Sequence, residues 1–137
     1  MTPVEAARQV LGVPFRHQGR NRLGMDCAGV LVHIFREMGV PFNDELGYPR
    51  HPYDGQLERI LDAQPSLERI DPRSVEAGDV VAMRMAKAPQ HIAIHAGLID
   101  GHPYIIHGSE QHGKVALHRL DDLWGARIVR AYRVLTP

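Results

Sequence analysis

The fold is decided by residues 25–39, which read MDCAGVLVHIFREMG. Asp26 is a residue type that caps helix N-termini well, and Gly39 is the type that ends helices. Between them, apolar residues recur at the three- and four-residue spacing of an amphipathic helix: Cys27, Val30, Leu31, Ile34, Phe35 and Met38. This pattern predicts a helix over 27–38 that begins at Cys27 and buries one face.

Cys27 is the only cysteine of the chain, which excludes an internal disulfide and a multi-cysteine zinc site. At the first turn of a helix, unpaired backbone amides and the positive end of the dipole favour a thiolate over a thiol. Cys27 also shares the apolar stripe with Val30 and Leu31, so its position is equally compatible with an inert core thiol. A neighbouring base is needed to distinguish the two roles.

A second, shorter helix precedes this one. Thr2, Pro3 and Glu5 match a capping box with proline at the first helical position, which predicts a helix to about Leu11. Glycine and proline then punctuate residues 12–24, so a basic, irregular loop is expected there.

The chain after Gly39 predicts one more helix and then strands. Asp54 precedes Leu57, Ile60 and Leu61, which have helical spacing. From Asp79 onward the pattern predicts strands at 80–85, 92–99, 104–107, 115–120 and 128–135. Helices followed by strands favour an α+β domain, with N-terminal helices packed on a C-terminal antiparallel β-sheet. A length of 137 residues predicts a single domain over 1–137.

Composition restricts the classes of partner. Hydrophobic residues make up 44% of the chain and charged residues 23%, which argues against disorder. Lys and Arg number 16, as do Asp and Glu, so neither nucleic-acid binding nor attraction to an anionic membrane is expected. No apolar stretch is long enough to insert in a membrane, and no signal peptide is visible. We therefore expect synthesis in the cytoplasm, with another agent delivering the protein to any external substrate.

Two histidines of the strand region are candidate partners of Cys27. His91 begins one predicted strand and His107 ends the next, with Asp100–Pro103 as the connecting tip. An imidazole base needs a polar group to orient it, so the pair suits a base and its orienting residue. Side-chain alternation puts His91 and His107 on one face only if the connection has an odd length or the strand has a bulge. The triad hypothesis predicts an odd-length connection.

Other histidines offer alternatives. His95 lies four residues after His91, on the same face of a regular strand, and is the reserve base. His91, His95 and His107 together are a rival zinc site of three histidines, disfavoured because it leaves Cys27 unexplained. His102, His112 and His118 are interpreted as turn or surface residues, and His33 is placed on the polar side of the helix over 27–38.

The segment Met25-Asp26-Cys27-Ala28-Gly29-Val30 resembles the nucleophile motif of the NlpC family of papain-like cell-wall cysteine peptidases. Three further motifs keep that family's order along the chain. They are Ala77-Gly78-Asp79-Val80, Gln90-His91-Ile92-Ala93-Ile94 and Ile105-Ile106-His107-Gly108. The resemblance covers most of the chain, and it implies a papain-like α+β fold with Cys27, His91 and His107 as nucleophile, base and orienting residue.

The resemblance also implies a substrate and a route to it. The substrate is the peptidoglycan stem peptide, cleaved between D-γ-glutamate and diaminopimelate or lysine, without metal or organic cofactor. Residues 15–20 and 48–50 resemble compact phage and prophage members, which implies a phage tail or lysis role and partners among tail proteins. Basic residues in or beside these segments could meet the carboxylates of the substrate: Arg16, Arg20, Arg22 and Arg50.

One departure from the family pattern has a chemical consequence. Relatives often place a tyrosine near Phe15, and phenylalanine has no hydroxyl with which to organise the cysteine. Gln18, His17 and Arg20 are therefore the candidates for an oxyanion-stabilising or substrate-binding donor, with Gln18 preferred. Two alternatives to peptidase activity stay open. One is a structural tail-tip or adaptor protein, and the other is an amidase or acyltransferase using the same chemistry.

Overall fold

The computed structural model describes residues 1–49, 55–85 and 90–136. The helices are α1 (Pro3–Arg8), α2 (Cys27–Met38), α3 (Gln56–Asp62) and α4 (Asp122–Gly125). The strands are β1 (Arg20–Asn21), β2 (Gly24–Met25), β3 (Leu67–Ile70), β4 (Val80–Arg84), β5 (Gln90–Ile99), β6 (His102–Ser109), β7 (Lys114–Arg119) and β8 (Ile128–Val134). Among the described residues, no helix has the length and apolar character needed to cross a membrane.

Helix α2 confirms the prediction made from the sequence. The Asp26 carboxylate accepts a hydrogen bond from the Gly29 amide at 2.8 Å, which caps the helix start. Gly39 ends the helix in the left-handed region with a φ of 67°, where a residue without Cβ avoids strain. The apolar stripe is buried, with Val30, Ile34 and Phe35 almost inaccessible to solvent.

The other predicted helices are present with shifted ends. In α1 the Thr2–Glu5 capping box forms as expected. The helix stops at Arg8 rather than near Leu11, because the Leu11 amide bonds to the Arg8 carbonyl in a tighter turn. Helix α3 begins after Gly55, and the predicted cap Asp54 lies outside the described residues.

Six strands form one antiparallel sheet in the order β3-β8-β4-β5-β6-β7. The sequence pattern does not predict β3 at the edge of the sheet, the short β1–β2 pair in the basic loop, or helix α4. Alternate residues of β4 point to opposite faces of the sheet. Val80 and Ala82 join the main core with α1 and α2, and Val81 and Met83 join a smaller cluster on the other face. The architecture is the predicted α+β arrangement of early helices on a later antiparallel sheet.

Candidate active site

Cys27 is the first residue of α2, and strand β6 lies directly against this helix start. A Cβ added to Gly108 would lie 2.6 Å from the carbonyl carbon of Asp26 and 2.9 Å from the amide nitrogen of Cys27. Only glycine leaves room for this approach, because real Cβ atoms do not come so near to backbone atoms. The His107-Gly108 pair therefore brings a histidine-bearing strand to the cysteine.

The Asp26 carboxylate is buried and receives donors from four groups. Besides the Gly29 amide, it accepts from the Gln18 amide at 2.8 Å, from Nη1 of Arg20 at 3.0 Å and from the Tyr48 hydroxyl. A buried carboxylate is stable when its lone pairs are satisfied in this way and a cation neutralises its charge. We call Asp26, Gln18, Arg20 and Tyr48 the Asp26 hub. It fixes the start of α2 to the two loops that flank it.

The three candidate oxyanion donors, Gln18, Arg20 and His17, all contact the Asp26 hub or belong to it. The Gln18 side-chain amide donates to the Tyr48 carbonyl at 3.0 Å. Arg20 is held between Asp26 and Asp44, at 3.0 Å from each, and the His17 ring packs edge-on against Tyr48 with centroids 5.5 Å apart. The geometry thus gives all three a structural task around Tyr48 and Asp26 in place of the predicted donor role.

Tyr48 supplies the hydroxyl that Phe15 lacks. It comes from the loop after α2 rather than from the loop before it, and its hydroxyl also accepts from Nη2 of Arg20 at 3.0 Å. Burial and the adjacent Asp26 carboxylate raise the pKa of Tyr48, so the phenol stays protonated and keeps donating. The sequence gives Tyr48 no predicted role, because a loop residue 22 positions from Asp26 has no spacing signal.

His91 and His107 lie on the same face of the sheet, as a triad requires, although the predicted odd-length connection is wrong. The β5–β6 turn has two residues, Asp100 and Gly101, both with positive φ. Such a turn would separate the two histidines, but the register shifts by one residue between His95 and Gly97. This bulge restores the common face.

The three histidines His91, His107 and His118 form a hydrogen-bonded chain. Nε2 of His91 lies 2.6 Å from Nδ1 of His107, and Nε2 of His107 lies 2.7 Å from Nε2 of His118. Nδ1 of His118 then lies 3.0 Å from the carbonyl oxygen of Arg119. We call this chain, with its carbonyl end, the histidine relay.

The Arg119 carbonyl fixes the direction of the whole relay. A carbonyl only accepts, so Nδ1 of His118 carries a hydrogen and Nε2 of neutral His118 accepts from His107. Neutral His107 then has its free lone pair on Nδ1 and accepts from Nε2 of His91. The remaining nitrogen of His91, Nδ1, is left without a hydrogen. It is the nitrogen of His91 that can accept a proton.

Burial favours the neutral forms of His91, His107 and Cys27. It lowers the pKa of His91 to about 4 and, with the neighbouring histidines, that of His107 to about 2. Cys27 is half-buried, and desolvation together with the Asp26 charge raises the pKa of its thiol to about 12. Burial and the Asp26 charge therefore oppose the resting thiolate that the position at the helix start favours. The Ile92 amide, next to His91, hydrogen-bonds to the thiol and places the sulfur beside β5.

Comparison with known proteins now identifies the family. The model of the NlpC/P60 family matches residues 12–133. The chain belongs to the NlpC/P60 family. It is 30% identical over 125 residues to the murein DD-endopeptidase MepS/murein LD-carboxypeptidase of Escherichia coli K12, covering 91% of this chain and 57% of that protein. It is 28% identical to the probable endopeptidase NlpC of the same strain, covering 90% of this chain and 70% of that protein.

Solved structures show the same fold. An NlpC/P60 family protein from Bacillus cereus superposes with a TM-score of 0.67 at 21% identity, covering 99% of this chain and 40% of that one. The NlpC/p60 domain of the peptidoglycan hydrolase SagA superposes with a TM-score of 0.61 at 18% identity, covering 95% of this chain and 94% of the domain. The papain-like α+β fold that the sequence motifs imply is confirmed.

His95 of this NlpC/P60 chain lies away from the relay. Four residues along a strand correspond to about 13 Å, and its Nδ1 accepts from the Gly97 amide at 3.0 Å, on the bulge. The geometry removes His95 as reserve base and as a member of the rival metal site. Instead, His107, His112 and His118 bring ring nitrogens within 4.8 Å of one another.

Two of the histidines dismissed as surface residues belong near the site. His118 is part of the relay, and the His112 ring stacks on the His118 ring with centroids 5.0 Å apart. Strand β7 pairs with β6 so that Ala116 lies opposite His107, and His118 therefore shares the face of His107. The alternation of β7 was visible in the sequence, but its register against β6 was not.

The basic residues near the site are largely committed to the protein itself. Arg22 donates to the Gln9 carbonyl at 2.8 Å, Arg20 belongs to the hub, and Arg50 lies outside the described residues. A cavity of about 380 Å³ adjoins the hub, between the loop at Tyr48 and helix α3. Its lining includes Glu45, Leu46, Gly47, Gln56, Arg59 and Ile60.

Proposed function

We propose that this chain is a cysteine peptidase that hydrolyses an amide bond in the stem peptide of bacterial peptidoglycan. Cys27 is the nucleophile, His91 the base and His107 the residue that orients His91. The observation that carries the proposal is the relay, whose direction leaves an unprotonated nitrogen of His91 for the sole cysteine. The names of the relatives, a murein endopeptidase and a peptidoglycan hydrolase, support the substrate class.

The first step forms a thioester. Nδ1 of His91 takes the proton of the Cys27 thiol as the sulfur attacks the amide carbonyl carbon, so no resting thiolate is needed. The carbonyl oxygen becomes an oxyanion, which the Cys27 backbone amide at the start of α2 can stabilise. Collapse of this intermediate breaks the carbon–nitrogen bond, and the departing amine receives the proton from His91.

The second step releases the acyl group. Water attacks the thioester while His91 again accepts a proton, and the Cys27 thiol is restored when it leaves. His107 accepts from Nε2 of His91 throughout and keeps the ring in place as its charge changes.

The proposal extends to the peptide bond that is cleaved and to the way in which the protein reaches the cell wall. The family resemblance favours the bond between D-γ-glutamate and diaminopimelate or lysine, whereas the name of the MepS relative describes a DD-endopeptidase. The similarity of residues 15–20 and 48–50 to phage-type members favours delivery by a phage tail or release at lysis. The chain spans 57% of the length of this relative.

Digestion of purified peptidoglycan fragments tests the proposal. Wild type, Cys27→Ala and His102→Ala are incubated with the fragments, and products are identified by mass. His102 is an exposed histidine at the hairpin tip, so His102→Ala is the matched control and should digest like wild type. Cys27→Ala should release nothing above background.

The product masses also separate the alternatives. Fragments ending in D-glutamate support the favoured bond, whereas separated cross-links support DD cleavage. Equal product release by wild type and Cys27→Ala would contradict the proposal. The absence of products from every variant would favour the structural tail protein, and products from other amides alone would favour the amidase or acyltransferase.

A further inference from the structure

A cluster of three histidines lies at the outer end of the relay. His107 comes from β6, His118 from β7 and His112 from the turn that joins them. One ring nitrogen of each lies within 4.8 Å of those of the other two. His107 is buried, His118 half-buried and His112 exposed, so the cluster reaches from the relay to the surface.

The rings are already oriented by neighbours outside the cluster. The Ser109 hydroxyl lies 2.7 Å from Nδ1 of His112, and the Arg119 carbonyl holds Nδ1 of His118. Trp124 packs against the His118 ring with centroids 4.7 Å apart. Hydrogen bonds of this kind fix the tautomers and ring positions of histidines that bind metals.

We propose that His107, His112 and His118 bind one transition-metal ion of the Zn²⁺ class and that the bound ion inhibits the enzyme. Three imidazoles with an open fourth position suit Zn²⁺. With nitrogen–zinc distances of about 2.0–2.1 Å, a tetrahedral site needs nitrogens about 3.3 Å apart. The Nε2 atoms of His107 and His118, now 2.7 Å apart, must move slightly apart, and the His112 nitrogen must move closer to both. Small side-chain rotations achieve this. The exposed His112 gives the ion its path of entry.

The inhibition rests on the proposed function and follows from the direction of the relay. A metal on Nε2 of His107 displaces the hydrogen that this atom donates to His118. Neutral His107 then carries its hydrogen on Nδ1 and donates to Nε2 of His91, which reverses that hydrogen bond. Neutral His91 now has its hydrogen on Nδ1. It has no lone pair left for the thiol proton, so the base is lost.

Metal binding is tested without reference to activity. Titration calorimetry with Zn²⁺, and the visible absorption of bound Co²⁺, are recorded for wild type, Cys27→Ala and His112→Ala. We expect one ion per chain in wild type and in Cys27→Ala, since the cysteine is not a ligand. His112→Ala should bind at least tenfold more weakly. No binding to wild type, or unchanged binding in His112→Ala, would overturn the site.

Inhibition is tested by measuring the product release of each protein with and without Zn²⁺. Product release by wild type should fall at least tenfold when Zn²⁺ saturates the site and recover when a chelator is added. In His112→Ala the same Zn²⁺ concentration should change product release less than twofold. Zn²⁺ binding without loss of activity, or equal inhibition of both proteins, would overturn the regulatory claim. Failure of the proposed function itself would instead show as equal products from wild type and Cys27→Ala.

Discussion

The Asp26 hub and the histidine relay flank the same cysteine but are built in opposite ways. The hub contains permanent charges, with the buried Asp26 carboxylate neutralised by Arg20 and bonded to Tyr48. The relay contains imidazole rings whose hydrogen bonds can reverse, and the Arg119 carbonyl at its end gives them a direction. The comparison indicates that the hub holds Cys27 in place, whereas the relay moves its proton.

Gly108→Ala should have the largest effect, because Gly108 lies where the hub and the relay meet. The new Cβ would displace the Asp26–Cys27 peptide, including the amide that we assign to the oxyanion. Loss of one such donor lowers kcat by about a hundred- to thousandfold. Steady-state kinetics on a purified muropeptide measures this. Gly125→Ala is the control, since a Cβ there meets nothing within 4 Å, and wild-type rates in Gly108→Ala would contradict the prediction.

Alkylation of Cys27 should depend steeply on pH. With a thiol pKa of about 12, the thiolate fraction rises about tenfold per pH unit below that value, so iodoacetamide labelling should accelerate about a hundredfold from pH 7 to 9. The unfolded chain in urea is the control, because its ordinary thiol pKa of about 8.5 makes labelling level off above pH 9. Rapid, pH-independent labelling of the folded protein near neutrality would instead indicate a resting thiolate.

Tyr48→Phe tests whether the hub acts mainly on stability. It leaves the buried Asp26 carboxylate one donor short, which should lower the free energy of unfolding by about 1.5–3 kcal/mol. Tyr132→Phe is the matched control, because the Tyr132 hydroxyl donates to the carboxylate of Asp62. The Asp62 side chain is 39% exposed, so water can replace the lost hydrogen bond. Urea unfolding measures both. An equal cost for the two variants would show that the burial of Asp26 is unimportant.

His118→Ala should have the smallest effect and tests the relay as a positioning device. Without an acceptor for Nε2 of His107, the orientation of His91 weakens, and we expect kcat to fall about tenfold, or about 1.4 kcal/mol, with KM unchanged. His118→Gln should restore most of the rate, since its amide oxygen can accept the same hydrogen. A loss in His118→Ala that His118→Gln does not rescue would indicate a merely structural role.

The sequence predicted the parts of the molecule that depend on local chemistry. Helix α2 follows from Asp26, Gly39 and the apolar spacing between them, all of which act within a few turns of chain. The positions of Cys27, His91 and His107 as candidates also followed from local motifs, and the structure joins His91 and His107 directly.

The remaining features depend on contacts between distant segments. Tyr48 reaches Asp26 from 22 residues away, and His118 joins the relay through the register of β7 on β6. The thiol pKa depends on how deeply folding buries the sulfur, which the helix position alone does not reveal. The bond from the Gln18 side chain to the Tyr48 carbonyl also has no signal in the sequence, which predicts Gln18 as an oxyanion donor.

The one-residue bulge between His95 and Gly97 limits how this hairpin can change length. A single deletion or insertion between His91 and His107 would turn the side chains of one strand to the opposite face of the sheet. The two histidine rings would then lie on different faces. Changes of two residues keep the faces matched. Viable homologues should therefore vary in this hairpin by even numbers of residues, unless they lose or gain a bulge at the same time.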